Sequence, residues 1–203
     1  MDPFPVLCDL DGVVWLAHEP IPGSVAAIAA LRGAGHRVLF VTNNSSATVT
    51  EQEAALTSIG IPARGDVVTS AMAGASVVGP GESVLVCGGA GVIEAVSAAG
   101  ARVVGHDEYE SDSSGVDVVM VGFHRNFDYE IMRRAAHAVR AGVGYVASSL
   151  VPTNRAPARY PVAGASSRPS PRHRGHRRSS PENRMHRWVT WCARSLAGGA
   201  PTR

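Results

Sequence analysis

Two aspartates one residue apart close an apolar run near the start of this chain, Val6-Leu7-Cys8-Asp9-Leu10-Asp11-Gly12-Val13-Val14-Trp15. A short buried strand accounts for the run, and its carboxyl end then holds both carboxylates beside a glycine turn. Like charges that close repel, so the arrangement makes sense where a cation sits between them or where one carboxylate keeps its proton. A strand end whose aspartates only cap the next turn is the other reading this stretch allows.

The segments that follow alternate between helical and strand signals. Ser24 reads as the N-cap of a helix through Leu31, with Val25, Ile28 and Leu31 at helical spacing and Gly33 and Gly35 behind it. The stretch from Leu16 to Gly23, with Pro20 and Pro22, reads as a loop. Val38 to Val41 is a second strand, ending in Thr42-Asn43-Asn44-Ser45-Ser46, where small polar side chains and backbone amides can cradle an anion or simply make a polar turn. Thr48 or Thr50 can cap the next helix, because Glu51 and Glu53 stand at capping-box spacing. That helix carries Ala54, Leu56 and Ile59 and stops at Gly60. Val67-Val68-Thr69-Ser70 then leads into an Ala-rich helix ending near Gly79-Pro80-Gly81.

A second run of the same kind follows. Strands are expected at Ser83–Cys87, Ala101–Val104, Val116–Val121 and Val143–Ala147, with helices at Val92–Ala99 and Asp128–Arg140 and an acidic loop holding Asp107, Glu108, Glu110 and Asp112. Strand–helix alternation of this kind argues an α/β fold with parallel sheets covered by helices.

Charge divides the chain sharply. Residues 1–150 hold 8 Arg against 16 acidic side chains, whereas residues 151–203 hold 11 Arg against Glu182 alone, so a net charge of +2 hides two opposite halves. There is no Lys anywhere in the sequence. The tract around Arg168, Arg172, Arg174, Arg177 and Arg178 is rich in Pro and Ser and poor in apolar residues, which predicts that it does not order. Its arginines suit phosphate neutralisation, but no recognition fold or interleaved aromatics accompany them, so no nucleic-acid partner is expected. No apolar run reaches the length of a membrane span, and Met1-Asp2-Pro3-Phe4-Pro5 lacks the basic and apolar regions of a signal peptide. Cys8, Cys87 and Cys192 are too far apart for a zinc site and read as thiols of a reducing compartment, with a cytoplasmic location as the expectation.

Gly88-Gly89-Ala90-Gly91 follows a strand and opens a helix, the position of a dinucleotide-binding turn. Glu94 occupies the place of that motif's third glycine, so a plain glycine turn is the better expectation and a dinucleotide-binding protein the lesser alternative. His124 stands at a strand end, where it reads as a surface or packing residue, and the sequence places no second ligand at metal spacing.

The combination that rises above its parts is Asp9-x-Asp11-Gly12 with Thr42-Asn43-Asn44-Ser45, each at a strand end. On these two motifs the sequence resembles the haloacid dehalogenase superfamily, specifically subclass IIA, the p-nitrophenyl phosphatase and phosphoglycolate phosphatase-like proteins. Val86-Cys87-Gly88-Gly89, Val119-Met120-Val121-Gly122-Phe123 and Phe127-Asp128-Tyr129-Glu130 resemble parts of that subclass's inserted cap, and the resemblance covers about residues 5–148. It implies a Rossmann-like core begun at residues 1–80 and an α/β C2-type cap at 81–160, and composition adds a disordered basic tail at 161–203. It further implies that Asp9 attacks phosphorus as nucleophile and that Asp11 serves as general acid and base. Thr42, Asn43 and Asn44 would hold the phosphoryl oxygens, and Mg²⁺ would bridge Asp9, Asp11 and the phosphoryl group. The implied reaction is Mg²⁺-dependent hydrolysis of a small phosphorylated metabolite through an aspartyl phosphate, with no membrane partner and a homo-oligomer left open.

The family's third motif supplies a Lys and its fourth a Gly-Asp pair with further Asp, whereas this chain has no Lys and no Asp after Asp128. Ser149 and Val151 also replace the Asn and Asp that the cap pattern would show after Ala147. Impaired catalysis is therefore expected, with a non-catalytic or decaying relative of the family as the alternative. Gly164-Ala165-Ser166-Ser167-Arg168-Pro169-Ser170-Pro171-Arg172 stands where a glycine turn, an Ala-rich helix and the Lys would be. Such Arg/Pro/Ser tracts arise when GC-rich coding sequence is read out of frame, so a truncated or frameshifted reading beginning between about residues 148 and 166 is expected. Translation of the neighbouring frames tests it.

Overall fold

A computed structural model describes residues 3–105, 108–109 and 115–149. The expected tail, the frameshift region and most of the acidic loop lie outside the described residues. The chain opens with strand β1 (Val6–Asp9), a short hairpin of β2 (Trp15–Leu16) and β3 (Glu19–Pro20), and helix α1 (Ser24–Gly33). Strand β4 (Val38–Thr42), helix α2 (Val49–Ser58), strand β5 (Val67–Thr69) and helix α3 (Ser70–Ala75) complete the first half. The second half runs β6 (Ser83–Cys87), α4 (Ala90–Ala98), β7 (Arg102–Val104), β8 (Val118–Val121), α5 (Tyr129–Arg140) and β9 (Gly144–Ala147).

These strands build two parallel sheets, ordered β1-β4-β5 and β7-β6-β8-β9, and the separate antiparallel hairpin β2-β3. In the first sheet Asp9 pairs with Val41 and Thr42 with Thr69, so all three strands end at one edge. One face buries Phe40, Val38 and Val67 against Ile28 of α1 and Leu56 of α2, together with Leu10, Val14 and Trp15 from the turn after β1. Full burial of side chains such as Phe40 or Trp15 is worth roughly 2–3 kcal/mol each.

The second sheet is covered on both faces, and its strands alternate accordingly. Val84, Val86 and Met120 point to a cluster with Ala71 and Ala75 of α3 and Val92 and Val96 of α4. Leu85, Cys87, Val119 and Val121 point to the opposite cluster, with Ile131, Ala135 and Ala138 of α5. This period of two, with every inward residue apolar, makes a strand buried on both sides read as a continuous apolar run. Burial pushes the Cys87 thiol up to about 12, and Cys8, half-buried, is raised by burial and then by the neighbouring Asp9 charge.

Three local expectations are corrected. Gly23, with φ of +87°, is the N-cap of α1, and the Ser24 hydroxyl instead donates to the Val14 carbonyl (2.8 Å). The segment after Trp15 is a hairpin and not a loop, turning through Ala17 and His18 at positive φ (50° and 69°), with His18 edge-on to the Trp15 ring. Helix α3 closes at Ala75, short of the Gly79-Pro80-Gly81 stretch. Thr48 proves to be the cap of α2, with a reciprocal capping box to Glu51. Among the described residues no helix is long and apolar enough to cross a membrane.

Candidate active site

Asp9 closes β1 and Thr42 closes β4, and parallel pairing places both at the carboxyl edge of the first sheet. Asp11 follows two residues on, in a turn built around one carbonyl. The amides of Val13, Val14 and Trp15 all point to the Leu10 oxygen, at 3.3, 3.0 and 3.2 Å. Gly12 holds φ of +89°, a left-handed conformation that favours glycine, and its amide donates to the Trp15 carbonyl (2.8 Å). Leu10, Val14 and Trp15 are buried beneath, so this polar turn sits on an apolar anchor.

Both carboxylates are tied to that turn. Asp9 Oδ1 accepts from the Leu10 amide (2.9 Å), and Asp11 Oδ1 accepts from the indole Nε1–H of Trp15 (3.2 Å). Each carboxylate keeps its second oxygen outside these bonds. Trp15 was legible only as the apolar end of the opening run; its bond to Asp11 depends on the turn folding the chain back over four residues.

The Thr42–Asn44 loop is ordered from within. Thr42 is buried, and its hydroxyl oxygen accepts from the Asn44 amide (3.0 Å), while Asn44 Oδ1 accepts from the Ser46 amide (3.0 Å). These are the local side-chain turns that Thr and Asn favour. The Ser70 hydroxyl, from the start of α3, donates to the Asn43 carbonyl (3.0 Å). Ser70 carried no site signal in the sequence beyond standing at another polar strand end.

Two hard oxygen donors at one strand end suit a small divalent cation, which commonly takes one or two carboxylates and fills its sphere with water and substrate oxygens. Among the described residues no group of three His, Cys, Asp or Glu side chains gathers to add to them. Asp9 and Asp11 therefore fit Mg²⁺ in kind, as a part of its shell.

The Gly88–Gly91 turn has other work than a nucleotide. A side chain at Gly89 would meet Ser46 (Oγ at 2.6 Å), although its backbone at φ −77° is ordinary, and one at Gly91 would run into the Ala47 carbonyl. The Gly91 amide donates to the Ser46 carbonyl (2.9 Å). Glu94, set where a dinucleotide motif wants its third glycine, accepts from the Val49 amide (2.8 Å) in the first turn of α2. The close approach that the glycines permit is to this chain's own loop.

Comparison with known proteins points one way. Residues 6–102 match the sequence profile of the family described as haloacid dehalogenase-like hydrolase. A D-glycerol 3-phosphate phosphatase of Mycobacterium tuberculosis is 36% identical over 153 residues, which are 73% of this chain and 41% of that protein. An acid sugar phosphatase of Staphylococcus saprophyticus is 35% identical over 147 residues, 70% of this chain and 54% of its own length. A crystal structure of glycerol phosphate phosphatase from Mycobacterium tuberculosis in complex with magnesium superposes with a TM-score of 0.69 at 32% identity, covering 80% of this chain and 49% of that one. The chain thus spans about half the length of the curated relatives it matches.

Proposed function

Because this chain belongs, over residues 6–102, to the haloacid dehalogenase-like hydrolases, we propose that it is a phosphatase of small phosphorylated sugars or glycerol phosphate, the substrates by which its relatives are named. The observation that carries the proposal is the shared edge: Asp9 and the Thr42–Asn44 loop end adjacent parallel strands in register. In open α/β sheets, ligands bind at that edge.

In this mechanism an Asp9 carboxylate oxygen attacks phosphorus in line, forming an aspartyl phosphate as the bond to the leaving oxygen breaks. Asp11 gives that oxygen a proton and then takes one from water, which attacks the same phosphorus and releases phosphate with Asp9 restored. The Trp15 indole holds Asp11 through one oxygen and leaves the other for the proton. Thr42, Asn43 and Asn44 bind the phosphoryl oxygens. Mg²⁺, held by Asp9 and Asp11, would offset phosphoryl charge when bound.

Turnover should be weak, because the chain has no Lys to neutralise the charge that develops on the transferring group. Losing one preorganised charge stabiliser costs on the order of 10²–10³ in rate. Release of phosphate from p-nitrophenyl phosphate by the full chain, with and without Mg²⁺, tests the proposal. Slow Mg²⁺-dependent release that vanishes in Asp9→Asn is the expected result. Phosphate binding with no turnover in either protein would replace the enzyme with a non-catalytic binder.

A further inference from the structure

We propose that Ser45 is a positioning residue, whose hydroxyl locks the Thr42–Asn44 loop to the carboxyl edge of the second sheet and so sets the affinity of that loop for phosphate. The proposal rests on the phosphoryl-binding role given to the loop above.

Ser45 is fully buried (0% exposed), and its oxygen accepts from the Phe123 amide (2.7 Å) and from the Ser148 hydroxyl (3.0 Å). Phe123 follows β8 and Ser148 follows β9, so one hydroxyl gathers the ends of two strands of the second sheet. A hydroxyl has two acceptor positions, and both are taken here. The space is shaped to match: a side chain at Gly122 would meet Ser45 Oγ at 2.9 Å and Ser148 Oγ at 3.4 Å. With Gly89 against Ser46 and Gly91 against Ala47, bare backbone faces three consecutive residues of the loop.

The next residue toward the site is Asn44, whose side chain closes a turn onto the Ser46 amide. Ser45 thus sits inside that turn, and a shift of its backbone carries both Asn44 and Ser46. On the other side Ser70 holds the Asn43 carbonyl. The two asparagines are therefore fixed from both sheets, by Ser70 beyond β5 and by Ser45 through β8 and β9. Removal of a buried acceptor leaves its donors without a partner, which is costly in a dry interior. The loop must then move or admit water, and either change disturbs the asparagines.

The test measures inorganic phosphate binding to the full chain by calorimetry, with the amide resonances of Asn43 and Asn44 followed by NMR. The variants are Ser45→Ala, Ser148→Ala, the double variant, Asn43→Ala and Ile28→Val. Ser148→Ala should weaken phosphate roughly tenfold, the size expected for one lost buried hydrogen bond, and Ser45→Ala, which removes two, at least as much. The double variant should lose no more than Ser45→Ala alone, because both changes break the same contact. Ser148→Ala should also move the Asn43 and Asn44 resonances, although Ser148 lies 103 residues along the chain from Ser45. Ile28→Val, in the first sheet's core, should lower Tm and leave phosphate affinity alone. If Ser148→Ala lowers Tm while the resonances and affinity stay in place, the proposal is overturned, and this variant decides alone should Ser45→Ala not fold. Should the wild type bind no phosphate and Asn43→Ala change nothing, the phosphatase assignment fails, and the resonances still decide the positioning role.

Discussion

At Gly91 a single methyl group decides between two opposing effects. Alanine there would favour helix α4 by about 1 kcal/mol through propensity. The same methyl would be driven into the Ala47 carbonyl, with the Ser45 carbonyl 2.8 Å away. These are backbone atoms, which cannot turn aside as a flexible side chain can, and overpacking of this kind costs about 1–3 kcal/mol. Gly91→Ala should therefore destabilise the chain by up to about 2 kcal/mol net, read as a lower urea midpoint at unchanged slope. Neither Gly89 nor Gly91 is explained by backbone conformation, since neither has a positive φ. Their reason is a neighbour more than forty residues earlier in the sequence, a distance at which no local pattern gives a signal. The glycine turn itself was legible, and so was its poor match to a dinucleotide motif.

Helices α2 and α4 cap one another. The first-turn amide of α2 at Val49 goes to Glu94 on α4, and the Gly91 amide of α4 goes to the loop before α2. Helix N-termini carry unpaired amides and a partial positive charge, so a carboxylate placed there satisfies both needs. Within α2 the Thr48–Glu51 box does the same locally, and Glu51 is held below its ordinary value of 4.5, first by the Thr48 backbone amide and then by the Thr48 hydroxyl. A carboxyl lowered in the folded state contributes stability above its unfolded value and loses it as pH falls through the folded one. Wild type should thus be more stable than Glu51→Gln at about pH 7, with the gap narrowing as pH falls through the carboxylate range, measured by thermal unfolding across that range. The capping box was legible because its two residues are three apart. Ser24 misled for a related reason: the residue type is right for a cap, but Gly23 supplies a left-handed φ and the hydroxyl finds Val14 ten residues back. The hairpin at Ala17 and His18 was hidden because neither residue advertises positive φ.

Across the whole molecule, the parallel α/β plan was legible, since strands such as Ser83–Cys87 are uninterrupted apolar runs bounded by glycine and polar residues. Both halves of the candidate site, Asp9 with Asp11 and Thr42 with the two asparagines, were legible as polar strand ends, and register alone brings them to one edge. The contacts that hold those halves in place were not. Trp15, Ser70 and Ser45 act through contacts made only once the chain has folded, two of them between segments 27 to 103 residues apart. The turn after β1 carries one further consequence. Three amides share the Leu10 carbonyl, and the residues beneath them are as buried as the centre of β4. Solvent exchange of an amide hydrogen requires the local structure to open, and here opening would expose Val14 and Trp15 to water. In a hydrogen–deuterium exchange experiment the amides of Val14 and Trp15 should be retained about as long as that of Phe40 in β4. Rapid loss at those two positions, with Phe40 still protected, would show instead that the acid-bearing turn opens independently of the sheet that carries it.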